Sequence, residues 1–303
     1  PLPYTISLGS FKCNRRCRMC PMYNMPPAKD EYMTEAVSRK ALQDVGDRKV
    51  DLELRAYGEP TLHPQFDDFI ALAKKQCPNA HLVVNTNGTV LTDDKCKKII
   101  DSGLDQLVFS LDAGSPQTYQ WLTGCADYDQ VCKNLDRLVV WKEKLNAKHL
   151  QIQTHIIGIK ELEHEFDAFV KRWKNVVDFA YVRTYGNWAG LVDNNGVTSC
   201  TKQVVPEVRY PCSWLWYATK IELDGAVSKC FVHVVGDKNP IGNIMRQDFY
   251  DIWHGERMRS LRQKHLDGRW DELEFCQNCI VWSLFPHFWD TCADPDHPNT
   301  IWK

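Results

Sequence analysis

The stretch "FKCNRRCRMC", residues 11–20, places Cys13, Cys17 and Cys20 within eight positions. Three sulfurs at these spacings turn towards one point only on a tight loop, and a tetrahedral zinc site would still lack a fourth ligand. A cubane [4Fe-4S] cluster usually has four thiolate ligands, so three thiolates leave one iron open. The spacing therefore favours an open iron–sulfur cluster. The alternatives are a zinc knuckle with a distant fourth ligand and three unrelated thiols.

Composition narrows the class of protein. The 303 residues carry a formal charge of -2 and a pI near 6.6, so no basic excess indicates a nucleic-acid partner. Thirteen cysteines cannot all pair within one chain, and clustered cysteines in a reducing compartment more often bind metal or do chemistry. The sequence has no signal-peptide pattern and no apolar run of membrane-spanning length. We expect a cytoplasmic protein without a membrane partner.

Short apolar runs alternate with amphipathic stretches through the first two-thirds of the chain, a pattern typical of strand–helix units around a parallel sheet. The helical stretches include "PQFDDFIALAKKQC" (64–77), where Phe66, Phe69, Ile70 and Ala73 share one face. Because a closed barrel needs eight such units, the sequence predicts an α/β fold with an open, partial (β/α)6 TIM-like barrel. The six predicted strands are "YTISL" (4–8), "VDLELRAY" (50–57), "HLVVN" (81–85), "DQLVFSL" (105–111), "LQIQTHII" (150–157) and "DFAYVRTY" (178–185).

The pattern changes after about residue 190. "GLVDNNGVTSC" (190–200) is polar and predicts a linker or lid. "WLWYATKIELDGAVSKC" (214–230) predicts two strands joined at Asp224-Gly225, a strong hairpin signal. "DFYDIWHGERMRSLRQKHL" (248–266) predicts a helix with Phe249, Ile252, Trp253 and Leu261 as its apolar members. We therefore divide the chain into a barrel, residues 1–200, and a small cysteine-bearing domain, residues 201–303.

Short polar motifs end three of the predicted strands. "AYGEP" (56–60) ends the second, "NTNG" (85–88) the third and "SLD" (110–112) the fourth. Sites on barrel folds are assembled at the carboxyl ends of strands, although each motif alone is as readily a turn or a helix cap. In this order, and after the CX3CX2C spacing of Cys13, Cys17 and Cys20, they resemble the motifs of the radical S-adenosylmethionine (SAM) superfamily.

That resemblance implies a SAM-binding [4Fe-4S] cluster on the three cysteines, with the amino and carboxylate groups of SAM chelating the open iron. It implies that the "GEP" edge meets the methionyl ammonium and that short polar side chains and a basic residue meet the carboxylate and the ribose. The Met19 backbone would meet the adenine. The cofactor-binding residues so predicted are Met19, Gly58, Glu59, Pro60, Asn85, Asn87, Ser110, Asp112 and Arg183.

Three positions in this region have competing interpretations. Tyr57 replaces the first glycine that is usual in the family's GGE-type motif. Arg183, near the end of the sixth predicted strand, is nearly as readily a surface arginine. His155 alternates with apolar neighbours on the fifth predicted strand, and a satisfied core histidine is its favoured interpretation.

Cys212, Cys230, Cys276 and Cys279 form a second group, spaced as C, seventeen residues, C, forty-five residues, CX2C. Four thiolates saturate a [4Fe-4S] cluster. The layout resembles the Twitch domain, a shortened SPASM domain, as do "IGNI" (241–244) and "DIWHGERMRSLR" (251–262). Since "IVWSLFPHFWD" (280–290) has no cysteine, the resemblance implies one auxiliary cluster. A four-cysteine structural zinc site is the alternative.

The family's chemistry implies an enzyme in which reductive cleavage of SAM gives a 5'-deoxyadenosyl radical that takes hydrogen from a C–H bond. It also implies an electron donor such as flavodoxin or ferredoxin. The second cysteine spacing is similar to that of aminocyclitol dehydrogenases, which implies a sugar- or cyclitol-like substrate and either dehydrogenation or epimerisation. Cys292 resembles in placement the hydrogen-donor cysteine of a related aminoglycoside epimerase and is the predicted catalytic residue. An idle thiol is its alternative.

Other functions stay open at this point. Aromatic residues crowd "PCSWLWYATK" (211–220) and "VWSLFPHFWD" (281–290), and flat rings suit sugar faces and peptide side chains alike, so a maturase of ribosomal peptides is the second hypothesis. A non-catalytic iron–sulfur electron carrier is the third. A zinc-binding interaction module is the weakest.

Overall fold

The computed structural model describes residues 5–8, 12–25, 32–54, 58–193, 195–200, 208–232 and 239–284. Nine β-strands lie within these ranges. They are β1 (Thr5–Leu8), β2 (Asp51–Leu54), β3 (His81–Thr86), β4 (Gln106–Asp112), β5 (Gln151–Gly158), β6 (Phe179–Thr184), β7 (Ala218–Ile221), β8 (Ala226–Ser228) and β9 (Gly242–Asn243).

The helices of the same ranges follow the strands in the predicted alternation. They are α1 (Glu35–Val45), α2 (Phe66–Gln76), α3 (Asp93–Asp101), α4 (Pro116–Thr123), α5 (Tyr128–Lys144), α6 (Phe166–Trp173), α7 (Trp214–Tyr217), α8 (Phe249–Trp253) and α9 (Glu256–Leu266). Several begin at side-chain caps, since Thr34, Thr92 and Ser115 each accept a backbone N–H of the first turn. In the part of the chain described here, no helix combines the length and the apolar character that crossing a bilayer requires.

The strands form one sheet in the order β6-β5-β4-β3-β2-β1-β7-β8-β9. Pairing is parallel from β6 through β1, which confirms the six predicted strands and the partial barrel. One feature of the sheet was not predicted. Strand β7, from the C-terminal region, pairs in parallel with β1, with Leu8 opposite Ile221, and then turns into the antiparallel strands β8 and β9. The sheet thus contains strands from both sides of residue 200. The division of the chain into two domains at that residue stays a prediction.

The two faces of the parallel sheet have different chemistry. Val84, Leu107 and Ile152 are register partners and are buried among the apolar side chains under the helices. The opposite face carries Ser110 opposite His155 in the register of β4 and β5, because successive strand residues point to opposite faces. Polar residues therefore line the concave side of the sheet towards the carboxyl ends of the strands.

One prediction for the C-terminal region is wrong. The run Trp214–Tyr217, predicted as strand, forms the short helix α7, and extended structure begins at Ala218. Trp214, Leu215 and Trp216 are all buried, and a short apolar run buried on several sides cannot be assigned by periodicity. The hairpin turn at Asp224-Gly225 is confirmed, with Gly225 at φ 82° between β7 and β8.

A second prediction, of one helix over 248–266, is also wrong. The segment forms α8 and α9, which are separated at His254 and Gly255. A side chain at Gly255 would press on the Asp251 carbonyl oxygen at 2.8 Å, so the glycine permits the close turn between the two helices. The turn lets Trp253 on α8 and Met258 on α9 both reach the core.

The polar segment 190–200, predicted as a linker or lid, is packed against the barrel. Val192, Asn195 and Val197 are buried, and Ser199 forms a β-bridge with Ile159 after the end of β5. This packing brings the segment next to the N-terminal cysteine loop, residues 12–25.

Gly88, which follows β3 in "NTNG", is a position where only glycine fits. Its φ is 70°, and a Cβ built there would overlap the ring of the buried Phe109. Gly124, after α4, has a similar φ of 76°, but beyond its chain neighbours no atom of the described residues lies within 4 Å of its added Cβ. Substitutions at the two glycines therefore distinguish the free-energy cost of left-handed backbone from the cost of overpacking.

We expect Gly124→Ala to lower the free energy of unfolding by about 1–2 kcal/mol, the cost of left-handed backbone for an L-residue. Gly88→Ala should lower it by about 2–5 kcal/mol, because overpacking adds about 1–3 kcal/mol. Urea denaturation of the two variants measures the difference. Equal losses would show that the Phe109 contact relaxes freely.

Candidate active site

The N-terminal cysteine loop is a compact turn. The Cys20 N–H donates to the Cys17 carbonyl at 2.9 Å, and the Tyr23 N–H donates to the Cys20 carbonyl at 3.0 Å. Cys13, Cys17 and Cys20 are reduced and half-buried, and all three line one cavity. Burial raises the pKa of Cys13 and Cys17, and it raises the pKa of Cys20 to about 12. Because the thiolate is the metal-binding form of cysteine, cluster binding at these thiols would release protons.

Three polypeptide segments hold this loop in place. Arg15 forms an ion pair with Asp127 before α5. The Arg18 backbone N–H donates to the Leu122 carbonyl on α4 at 2.8 Å. The Arg18 carbonyl, in turn, accepts the Asn195 side-chain amide at 2.8 Å. The packed segment 190–200 is therefore part of the support of the cysteine loop.

Met19, whose backbone was predicted to meet adenine, has its carbonyl engaged within the protein. The Trp188 indole N–H donates to that carbonyl at 3.0 Å. Trp188 and Ala189 both have positive φ, 51° and 58°, a costly conformation for residues with side chains. The strained turn places the indole against the cysteine loop, and Trp188 also lines the cavity.

The cavity has a volume of about 280 Å³ and lies at the carboxyl ends of the strands. It brings together residues that are far apart in the sequence. The predicted residues that line it are Cys13, Cys17, Met19, Cys20, Gly58, Glu59, Asn85, Asn87, Ser110, Asp112 and Arg183. Pro60 is buried and starts the short 3-10 helix Pro60–Leu62 instead, and Tyr57 and Cys292 lie outside the described residues. The roles assigned to all these residues stay predictions.

Glu59 connects two of the predicted motifs through a buried carboxylate. Its Oε1 accepts the Thr61 backbone N–H at 3.1 Å and the Thr86 hydroxyl at 2.7 Å, and its Oε2 accepts the Asn87 backbone N–H at 2.5 Å. Burial raises the pKa of Glu59, and these donors oppose that shift. Because its lone pairs are engaged, Glu59 fixes the shape of the "GEP" and "NTNG" turns around the cavity.

Asp112 has a special backbone conformation. Its φ is 63°, and the register between β4 and β5 shifts between Ser110 and Asp112. The irregularity directs the Asp112 side chain to the cavity, where one carboxylate oxygen lies 3.0 Å from His155 Nε2. A β-bulge commonly turns a side chain towards a site in this way.

His155 is a core histidine whose ring lies beside two of the predicted cofactor-binding residues. It is fully buried, and its Nε2 lies between the Asp112 carboxylate and Arg183 Nη1, which is 3.4 Å away. Arg183 therefore faces the cavity and not the surface. The three side chains form a row from β4 through β5 to β6, so His155 positions two of the predicted cofactor-binding residues.

Aromatic residues form a wall of the cavity, and the sequence indicated one of them through the aromatic run 211–220. Tyr185 and Trp188 follow β6, while Trp214 and Phe231 lie beside the second group of cysteines. Trp214 and Phe231 are stacked, with ring centroids 4.9 Å apart and planes at 16°. Trp214 belongs to the aromatic run 211–220, and the signal for Phe231 was its position next to Cys230.

The second group of cysteines also comes together. Cys212, Cys230 and Cys279 lie in or against one small apolar cluster with Phe231 and Trp282, and Cys276 is close enough to Cys230 and Cys279 for both to raise its pKa. Burial, and then the neighbouring Cys230, raises the pKa of both Cys212 and Cys276. Arg209 and Lys229 act in the opposite direction on the pKa of Cys276. The four thiols thus share a buried site with two cations near it.

The two kinds of metal site that four thiols can form differ in geometry. Among the described residues, no group of three or more His, Cys, Asp or Glu side chains converges closely enough to hold a single metal ion. A tetrahedral zinc site needs four sulfurs about 2.3 Å from one point. A cubane instead binds each thiolate to a separate iron, so its ligands surround a volume.

Comparisons with known proteins decide the family. The family model described as the radical SAM superfamily matches residues 8–172. The chain belongs to the radical SAM superfamily. A second model, SPASM, described as an iron–sulfur cluster-binding domain, matches residues 212–280. The protein is therefore a radical SAM enzyme with an auxiliary iron–sulfur domain, and its cofactors are SAM and two [4Fe-4S] clusters.

Individual relatives of this radical SAM enzyme are distant. A curated relative from Niallia circulans, an S-adenosyl-L-methionine-dependent 2-deoxy-scyllo-inosamine dehydrogenase, is 21% identical over 270 residues, which is 88% of each chain. The crystal structure of BtrN in complex with AdoMet and 2-DOIA aligns with a TM-score of 0.63 and 20% identity, over 92% of this chain and 93% of that one.

A structure of Streptococcus suis SuiB bound to precursor peptide SuiA also aligns. Its TM-score is 0.66 at 14% identity, over 93% of this chain and 70% of that one. Identities this low establish a common fold. The substrate of this enzyme depends on the residues of its own site.

The residues present fit the cofactors chemically. Three thiols on one loop would leave one cluster iron open for SAM, and four thiols at the second site would saturate an auxiliary cluster. The polar strand ends beside the first group would supply hydrogen-bonding partners for the polar groups of SAM.

Removing two thiols of the second group should remove one cluster only. Cys276→Ala/Cys279→Ala is expected to lower bound iron to about half, because each [4Fe-4S] cluster holds four irons. Iron and sulfide analysis after anaerobic purification measures this. Cys96→Ala/Cys200→Ala, outside both groups, is the matched control. Unchanged iron in the first variant would refute the ligand assignment.

The position of His155 predicts a role in SAM affinity. His155→Leu should weaken SAM binding about tenfold or more, because a hydrogen bond to a charged group contributes about 1.5–3 kcal/mol. His155→Gln, which keeps a donor, should weaken it less. Isothermal titration of the cluster-loaded protein measures the affinity. His149→Leu, which removes a hydrogen bond to the Ile100 carbonyl, serves as the control. A loss of SAM affinity in His149→Leu equal to that in His155→Leu would contradict the assignment.

Proposed function

We propose that this enzyme oxidises an alcohol carbon of a small sugar- or cyclitol-like molecule to a ketone. The observation that carries this proposal is the position of the cavity. Its wall includes Cys17 and Cys20 of the first group, and also Trp214, Phe231 and Val281, which share an apolar cluster with Cys212 of the second group. A substrate in this cavity would lie near both predicted cluster sites.

This position matters for the type of reaction. Oxidation of an alcohol carbon removes one hydrogen atom, one electron and one proton. When bound, SAM and its cluster supply the 5'-deoxyadenosyl radical that removes a hydrogen atom, and the auxiliary cluster supplies an acceptor for the electron. The proton passes to water. Epimerisation needs no electron acceptor, so a second redox centre next to the substrate favours dehydrogenation.

The aromatic lining of the cavity favours a ring-shaped substrate. The stacked Trp214 and Phe231 present flat apolar surfaces, which suit the C–H faces of a saturated ring. Both rings are at least nine-tenths buried, so they also keep water away from the reacting carbon.

The residues of the barrel have a different task in this proposal. Asn85, Ser110 and Asp112 at the strand ends hold SAM by hydrogen bonds, and Arg183 attracts its carboxylate. Tyr185 lies next to them on the cavity wall, and burial raises its pKa to about 12. It therefore stays a neutral hydrogen-bond donor near pH 7 and suits a substrate hydroxyl or the ketone oxygen.

The distant relative from Niallia circulans supports the same reaction class. Its name specifies dehydrogenation of 2-deoxy-scyllo-inosamine, and the alignment covers 88% of both chains. Hydrogen return by Cys292, which would give epimerisation, is the alternative outcome. Modification of a ribosomal peptide is another, since the SuiB structure with its precursor peptide has a similar fold.

The reaction is tested by incubating the cluster-loaded enzyme with SAM, dithionite and a panel of cyclitols and amino sugars, 2-deoxy-scyllo-inosamine among them, in D₂O. We expect 5'-deoxyadenosine and a ketone in equal amounts, measured by mass spectrometry. Cys276→Ala/Cys279→Ala should still form 5'-deoxyadenosine but not the ketone. The same alcohol with inverted configuration and carbon-bound deuterium would instead establish epimerisation.

A further inference from the structure

His265 lies between two cysteines of the second group. It is in the last turn of α9 and is fully buried. One ring nitrogen, Nδ1, is 3.2 Å from the backbone nitrogen of Cys212, and the other, Nε2, is 3.4 Å from Cys276 Sγ. No sequence motif pointed to this histidine, because it is close to Cys212 only in space.

The backbone contact fixes the position of the imidazole proton. A peptide N–H is always a donor, so the Cys212 N–H needs a lone pair on Nδ1. A neutral imidazole with a lone pair on Nδ1 carries its proton on Nε2. The Nε2–H then faces Cys276 Sγ, so the direction of the N–H···S hydrogen bond follows from the backbone.

We propose that His265 donates an Nε2–H···S hydrogen bond to the Cys276 thiolate of the auxiliary cluster and thereby raises the reduction potential of that cluster. This inference rests on the assignment of Cys212 and Cys276 as ligands in the proposed function. His265 is a positioning residue that acts through Cys276.

The physical reason is the charge added on reduction. Reduction adds one electron to the cluster and its thiolates, and an N–H dipole directed at a ligand sulfur stabilises the added negative charge. Hydrogen bonds to the sulfurs and solvent exposure are among the factors that set iron–sulfur potentials. Here the contact lies in a site without water access to His265 or to most of Cys276, so the dipole is little screened.

The surroundings of Cys276 act in the same direction. Arg209 lies over the rings of Trp270 and Trp282, 4.8 Å and 5.5 Å from their centroids, and Lys229 precedes Cys230. Both are positive charges near the second group of thiols. The first group lies near charges of both signs, since Glu59, Asp112, Arg15 and Arg183 line the same cavity. The cations beside the second group favour an added electron there, as an acceptor in alcohol oxidation requires.

The test is an EPR-monitored redox titration of the full-length chain with Cys13, Cys17 and Cys20 replaced by alanine, so that one cluster gives the signal. We expect His265→Leu to shift its midpoint potential to a more negative value. His265→Gln should restore most of the shift, because its amide keeps a donor for the sulfur and an acceptor for the Cys212 N–H. Selective ¹⁵N-histidine labelling should change the electron spin-echo modulation of this triple-alanine chain, the parent of the variants, but not of its His265→Gln variant.

His63→Leu is the matched control. His63 is also buried, with Nδ1 accepting the Gln65 backbone N–H at 3.0 Å, but its Nε2 faces the Met33 carbonyl at 3.2 Å and not a sulfur. Its loss should leave the auxiliary potential unchanged. A His63→Leu shift equal to that of His265→Leu would reduce His265 to a packing role and overturn the inference.

The outcomes are distinguishable from those of the proposed function. An auxiliary cluster with an unchanged potential in His265→Leu, or no effect of ¹⁵N-histidine, overturns the hydrogen bond while the oxidation can stand. If His265→Leu fails to assemble a cluster, the potential of His265→Gln and the labelling of the parent chain decide. Absence of any cluster in the triple-alanine chain would instead refute the ligand assignment on which both proposals depend.

Discussion

The parallel pairing of β1 with β7 is the constraint on which the rest of the site depends. Strand β1 leads into the N-terminal cysteine loop, and β7 lies between Cys212 and Cys230. Hydrogen bonding in register, with Leu8 opposite Ile221, joins the strand that precedes the first group of cysteines to a strand that lies within the second group. The cavity is lined both by the cysteine loop and by Trp214 and Phe231 from beside the second group.

Buried polar groups around this pairing are compensated by partners within the protein. Lys220 and Glu222, at the end of β7, form an ion pair of 2.7 Å, and the Ser228 hydroxyl donates to the same carboxylate at 2.6 Å. Removing one partner of such a pair leaves a buried charge, which costs far more than the pair contributes. Glu59 and His155 have the same character beside the cavity. These groups make the packing around the site specific, because each buried polar side chain needs particular charged or hydrogen-bonding neighbours.

The two cysteine groups lie in different electrostatic surroundings. The first lies in a cavity lined by the carboxylates of Glu59 and Asp112 and by the cations of Arg15 and Arg183, as suits a cofactor that carries charges of both signs. The second lies in an apolar cluster with cations and a fixed histidine donor, as suits a saturated cluster that takes up charge. Burial raises the thiol pKa in both groups, so the difference between them comes from the neighbouring charges and hydrogen bonds.

The sequence by itself determined the six barrel strands, the turn at Asp224-Gly225, the grouping of the cysteines and the family, because each depends on short-range spacing or periodicity. Only the tertiary structure decided that β7 joins the barrel sheet, that Trp214–Tyr217 is helical and that His155 and His265 contact the two sites. Those features depend on contacts between residues far apart in the chain, such as His265 and Cys212, whose partners local patterns do not encode. Burial and hydrogen bonding select them only when the whole chain is packed.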